Sequence, residues 1–176
     1  DATSIINDLS FEIPAASSLA VIGPTGSGKS TIAKLILGFI EPTNGSIMIS
    51  GYDTAKVNIK FLRSSMSAIL QNSLPSAGSI WDFITSGIHV SPSLVEEISS
   101  SIKLDTLIDE LPMGYHTIIS ENGSNFSLAQ QSKFLIARSL ISKPKILILD
   151  DVLSNISSSD VDSILEYLHA KGITVI

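Results

Sequence analysis

Gly23-Pro24-Thr25-Gly26-Ser27-Gly28-Lys29-Ser30, with Thr31 after it, is the stretch of this chain whose residue types and spacing could do chemistry. It satisfies G-x-x-x-x-G-K-[ST], the pattern of a phosphate-binding loop. Glycines let successive backbone N–H groups close around phosphate oxygens, and the start of the following helix adds partial positive charge. In such a loop Lys29 reaches the β and γ phosphates of a nucleoside triphosphate, and the Ser30 hydroxyl binds Mg²⁺. At average composition the four specified positions arise in roughly one chain in 200 of this length. The bland alternative is a glycine-rich turn that holds nothing, and the strand before the loop and the helix after it weigh against that.

Phosphate chemistry with Mg²⁺ needs a second oxygen ligand. The apolar run Ile146-Leu147-Ile148-Leu149 ends in Asp150 and Asp151. In an open α/β sheet ligands collect at the carboxyl ends of the strands. Asp150 is therefore placed to hold Mg²⁺ or its waters, and Asp151 to polarise an attacking water. Paired aspartates after a strand can also simply open a turn.

Alternating and continuous apolar runs supply the elements that must hold these groups. Leu9 to Ile13 alternates like a half-buried strand, and Ser18 to Ile22 reads as a buried parallel strand leading into the loop. After it Ile32, Leu35, Ile36 and Phe39 recur at helical spacing, with Gly38 and Pro42 marking the end. An Asn44-Gly45 turn precedes a strand at Ile47 to Ile49, and Ser67 to Gln71 forms another short run. From Asn72 to about Ser142 the pattern turns helical, with capped starts near Ser91-Pro92 and at Ser127. Lys143 to Asp151 returns to a buried strand, followed by a helix from about Ser158 to Ala170 and a last strand. The expected fold is α/β: a P-loop NTPase domain with a parallel core, a small antiparallel part and a helical subdomain. Its expected division is 1–71, 72–142 and 143–176.

Composition narrows the ligand. The 176 residues are 44% hydrophobic, enough for one compact α/β domain. The net charge is −6 and the only arginines are Arg63 and Arg138, which argues against a nucleic-acid surface built on clustered Lys and Arg. Cysteine is absent, so disulfides and thiolate metal sites are excluded, as is usual inside cells. No apolar run approaches the roughly 20 residues of a membrane-spanning helix. The final "GITVI" has no closing turn and reads as cut, so further sequence is expected beyond both ends. "NIKF" at Asn58 is not a guanine-reading Asn-Lys-x-Asp, and two arginines do not furnish the lid of a small-molecule kinase. His89, His116 and His169 lack metal-ligand spacing and read as surface or packing residues.

The order of these segments resembles the nucleotide-binding domain of ATP-binding cassette (ABC) transporters over essentially the whole chain. "GPTGSGKST" resembles the Walker A motif, "EPTNGSIMISGYD" the segment after it, and "FLRSSMSAILQ" the stretch ending in the Q-loop glutamine, here Gln71. "LPMGYHTIISENG" is similar to an exporter element whose loop, here with Glu121 and Gly123, meets the membrane domain, and "KPKILILDD" resembles Walker B. "FSLAQQSKFLIARSL" falls at the family signature Leu-Ser-Gly-Gly-Gln. The resemblance implies ATP and Mg²⁺ as cofactors, with Ser30, Gln71 and Asp150 at the metal and Lys29, Gln71 and Asp151 in catalysis. It also implies a head-to-tail dimer in which Ser127, Leu128, Ala129 and Gln130 face the ATP of a second nucleotide-binding domain, identical or different. A transmembrane domain on the same chain, the cytoplasmic face of a membrane, and export, with a peptide as one cargo, follow from the same likeness.

Departures from the pattern leave alternatives open. Leu128 and Ala129 replace both signature glycines, and Ser127-x-x-Gln130 is by itself a complete helix capping box. Asp151 stands where the family has a glutamate, with a reach shorter by about 1.5 Å; misplacing a reacting group by about 1 Å can cost on the order of a hundredfold in rate. The Ser-Ala-Leu-Asp loop of the family appears as Ser154-Asn155-Ile156-Ser157. The adenine-stacking aromatic and the switch histidine are expected outside the sequence given. Three readings follow: a slow transport ATPase, a regulatory ATP-binding module with poor hydrolysis, and an ABC-fold ATPase acting on nucleic acid, which the acidic composition disfavours.

Overall fold

The computed structural model describes residues 5–176. Helix α1 (Lys29–Ile36) begins directly behind the phosphate loop, and its buried Ala33 continues into the buried Leu37. A hairpin follows, β1 (Met48–Ile49) and β2 (Tyr52–Asp53), turned at Ser50 and Gly51 with φ of 51° and 81°. Positive φ at both central residues is the geometry that matches the twist of paired strands. Helix α2 (Ile59–Arg63), capped by the Asn58 side chain accepting from the Lys60 amide, leads into β3 (Met66–Ile69).

The middle of the chain is mostly helical: β4 (Gly78–Ser79), α3 (Ile80–Thr85), α4 (Pro92–Ser101), α5 (Asp105–Glu110), β5 (Ile118–Ile119) and α6 (Leu128–Ile141). Strands β4 and β5 pair antiparallel, Gly78 with Ile119 and Ser79 with Ile118. The chain closes with β6 (Ile146–Leu149), α7 (Ser158–Ala170) and β7 (Thr174–Val175).

The central sheet is parallel, in the order β3-β6-β7. Its middle strand reads Ile-Leu-Ile-Leu, as a strand covered on both faces should. Register sorts the two faces. Met66, Ala68, Ile146 and Ile148 pack with Ala33, Leu37, Ile49 and Leu62, so α1, α2 and the hairpin cover one face. Ile69, Leu147 and Leu149 join a larger cluster with Phe83, Ile98, Phe134, Ile136 and Ile164, so the helical part and α7 cover the other. Alternation of side chains along each strand puts these two clusters on opposite sides.

Two expected strands differ. Leu9 to Ile13 forms no strand, and Leu9 and Phe11 remain about half exposed. Ser18 to Ile22 is reduced to a parallel bridge between Ser18 and Val175, made by Val175 N–H to the Ser17 carbonyl and Leu19 N–H to the Val175 carbonyl, both 2.9 Å. Beyond that bridge Ala20 to Ile22 form no strand, and Ile22 is 93% exposed. The strands expected at Ser67 to Gln71 and Lys143 to Asp151 form, as does the helix Ser158–Ala170.

Candidate nucleotide site

The phosphate loop is shaped by two close approaches. Gly28 caps α1 in the left-handed region, φ 94°, and a Cβ on it would lie 3.1 Å from Ile5 Cγ2. A Cβ on Gly23 would meet Ser27 Oγ at 2.7 Å. A side chain at Gly23 would have to displace the Ser27 hydroxyl, and one at Gly28 would crowd Ile5 in a dihedral that penalises any L-residue. Between them Pro24, Thr25, Gly26 and Ser27 stand exposed, closed by Ser27 N–H donating to the Pro24 carbonyl at 3.2 Å. Ser30 and Thr31 are half-buried in the first turn of α1. The Lys29 ammonium folds back onto the loop, donating to the carbonyls of Gly23 at 2.8 Å and Pro24 at 2.9 Å. A phosphate would offer that ammonium stronger, charged acceptors than these two neutral carbonyls.

At the carboxyl ends of the strands the Asp150 amide donates to the Ile69 carbonyl at 2.9 Å, joining the tip of β6 to the tip of β3. This brings Gln71, just past β3, together with Asp150 and Asp151. All three line one cavity of about 200 Å³, whose wall also includes Leu74, Leu128, Gln131 and Asn155. Asp151 is exposed and left-handed, with φ 64°, and its carbonyl accepts from the Ser154 hydroxyl at 2.7 Å. Aspartate is among the few residues that tolerate that region. Lys29 and Ser30 stand apart from this wall, on the helix that covers the opposite face of the sheet.

The start of α6 is a complete capping box. Ser127 Oγ accepts from the Gln130 amide at 3.3 Å, and Gln130 Oε1 accepts from the Ser127 amide at 2.8 Å. Leu128 is 61% exposed beside the aspartate cavity. Ala129 and Gln130 instead line a second hollow of about 290 Å³, with Lys133, Ser157 and Asp160. Leu128 thus lines one cavity and Ala129 and Gln130 the other, while Ser127 lines neither. Lys133 pairs with Asp160 at 2.8 Å, and this hydrogen bond holds the Asp160 carboxyl below its usual value.

Two amide side chains that carried no sequence signal organise the loop before α6. Asn125 accepts from the Ser120 amide at 2.8 Å and donates to the Ile118 carbonyl at 2.9 Å. Gln131, 8% exposed, donates from Nε2 to the carbonyls of Gly123 at 2.9 Å and Phe126 at 2.8 Å. Only the fold shows that a glutamine in the first turns of a helix points back to a loop. Among the described residues no His, Cys, Asp or Glu cluster could hold a metal by itself, and His169 bonds the Ser18 hydroxyl through Nε2 at 2.7 Å. No helix among them is long and apolar enough to cross a membrane.

Comparison with known proteins identifies the family. The family model for ABC transporters matches residues 6–154. An uncharacterised ABC transporter ATP-binding protein of Bacillus subtilis is 37% identical over 164 residues, covering 93% of this chain and 27% of the relative. The toxin RTX-I translocation ATP-binding protein of Actinobacillus pleuropneumoniae is 36% identical over 181 residues, covering all of this chain and 25% of the relative. Among solved structures, a bacterial Atm1-family ABC exporter with ATP bound superposes with a TM-score of 0.88 at 34% identity, over 98% of this chain and 31% of that one. The chain thus spans about a quarter to a third of the length of these relatives. With a P-loop at the head of α1, two aspartates at the tip of the central strand and this degree of likeness, the chain belongs to the ABC transporter family, of which it forms an exporter-type ATP-binding domain.

Proposed function

We propose that the domain binds and slowly hydrolyses ATP as the cytoplasmic motor of an exporter. Convergence of Gln71, Asp150 and Asp151 on one cavity at the carboxyl ends of adjacent parallel strands carries the reading. Residues Gly23 to Thr31 hold the phosphates, with Lys29 and the loop amides as donors. Ser30, Gln71 and Asp150 offer only oxygen donors, which suits a hard cation such as Mg²⁺. When bound, that ion neutralises charge on the phosphate oxygens. Asp151 orients and polarises the attacking water from the same cavity wall. The division into 1–71, 72–142 and 143–176 belongs to the same reading, the helical segment carrying the trans-facing Ser127.

The remaining length of the relatives supports a transmembrane domain on the same chain and a place at the inner face of a membrane. A relative named for toxin translocation supports a polypeptide cargo. The family signature implies a second nucleotide-binding domain, identical or different, against Ser127, Leu128, Ala129 and Gln130. The acidic charge gives no support to a nucleic-acid partner. A second reading, ATP binding with regulatory rather than hydrolytic use, is favoured by Leu128, whose exposed side chain stands where phosphate would need bare backbone. Phosphate release by the assembled transporter decides between them. Turnover that disappears in Lys29→Ala and rises on the order of ten- to a hundredfold in Asp151→Glu supports the motor. Nucleotide binding without turnover above background in either protein supports the regulatory module.

A further inference from the structure

Gln131 is a buried polar residue that this reading leaves without a task. Its amide nitrogen commits both protons to the carbonyls of Gly123, in the middle of the loop that precedes α6, and Phe126, at its end. Gly123, with φ 70°, lies so close that a Cβ would sit 3.0 Å from Gln131 Cγ and Cδ and 3.2 Å from Pro75 Cγ. The same glutamine forms part of the wall of the cavity shared by Gln71, Asp150 and Asp151. From its other end the loop is tied to β5 through Asn125, and β5 pairs with β4, only a few residues after Gln71. A closed circuit results: the Gln71 segment, β4, β5, the 120–126 loop, Gln131, and back to the cavity.

We propose that Gln131 is a positioning residue that locks the 120–126 loop to the nucleotide cavity, so that nucleotide occupancy and loop conformation are linked through this one amide. The proposal rests on the ATP site assigned above. It does not require Gln131 to touch ATP. Losing two donors from a buried clamp frees two loop carbonyls at once and unpins the loop, whereas the phosphate loop, which shares none of these hydrogen bonds, keeps its geometry.

Hydrogen exchange on the full-length protein, with and without a non-hydrolysable ATP analogue, tests it. Gln131→Met keeps the volume and removes both donors. Residues 120–126 should then exchange roughly tenfold faster or more, and their response to the analogue should be lost while its Kd changes less than about twofold. Turnover should show a lower kcat with KM for ATP unchanged. Gly123→Ala pushes on the same contact from the loop side. Combined with Gln131→Ala it should cost less than the two single changes added together, because the shorter side chain makes room for the new methyl. Unchanged loop exchange in Gln131→Met, or a loop indifferent to bound analogue in the wild type, overturns the proposal and leaves the ATP site standing. Analogue that fails to bind the wild type overturns the ATP site itself, so the two failures are told apart. If Gln131→Met does not fold, the double-mutant comparison decides alone, strict additivity counting against the clamp.

Discussion

Removing either half of the Ser127–Gln130 box should separate what stabilises α6 from what serves a nucleotide. An N-cap hydroxyl is worth about 1 kcal/mol, within a range of about 0.5–2. Here the Ser127 hydroxyl sits 3.3 Å from the amide it accepts from, just beyond the usual hydrogen-bond range, while the Gln130 carbonyl is 2.8 Å from the Ser127 amide. Ser127→Ala should therefore cost about 0.5 kcal/mol at the low end of that range, and Gln130→Ala about 1 kcal/mol. Since about 1.4 kcal/mol is a factor of ten, amides of residues 127–134 should exchange roughly twofold faster in the first variant and roughly fivefold faster in the second. Hydrogen exchange of the nucleotide-free, full-length protein reads both. A larger loss in Ser127→Ala than in Gln130→Ala would refute the assignment of the shorter bond as the stronger one. With ATP present the ranking should invert: dimer closure, followed by cross-linking, should fail in Ser127→Ala and survive in Gln130→Ala. Equal closure in wild type and Ser127→Ala would mean that the serine does nothing beyond capping the helix.

Gly28→Ala should destabilise the loop by about 1–3 kcal/mol, from the left-handed dihedral and the contact with Ile5, and weaken binding of a fluorescent ATP analogue in titration. Arg63 donates to the carbonyls of Leu37 at 3.0 Å and Gly38 at 2.9 Å and stacks on Phe39, capping α1 from α2. Arg63→Lys cannot make both bonds in one plane, so a loss of about 1 kcal/mol and faster exchange at the end of α1 are expected. The lowered Asp160 carboxyl contributes stability that is complete above its unfolded value of 3.8 and is lost as the pH falls through the folded one. Acid unfolding below about pH 4 should therefore be less steep in Asp160→Asn, as followed by circular dichroism.

Motifs whose chemistry depends on chain-local spacing could be read before the fold was known. The phosphate loop, the Asp150–Asp151 pair and the capping box are each set by neighbours within a few residues, and all three have the expected local form. The runs Leu9 to Ile13 and Ser18 to Ile22 depend on distant partners, and pattern alone cannot say whether those are present. Gln131 and Asn125 were invisible for a related reason: a side-chain amide says nothing in sequence about which loop carbonyl it will find. The separation of Ala129 and Gln130 from Leu128 likewise follows from the rotation of successive residues about the axis of α6, which sends neighbours in sequence into different hollows.

The bridge between Ser18 and Val175 has a consequence for the order in which the domain is made. Ser17 to Leu19 leads into the phosphate loop, yet its backbone partner is the distant Val175, and the Ala16 amide also reaches Thr174 Oγ1, 158 residues away in sequence, at 3.0 Å. Contacts of such long separation close late, after the intervening sequence has paid its loop entropy. During synthesis residues 17–19 must wait for residues 174–175 before they are anchored. A nascent chain therefore gains a fixed approach to its nucleotide cradle only when β7 arrives, and the polypeptide stays without one while its central sheet is still being assembled.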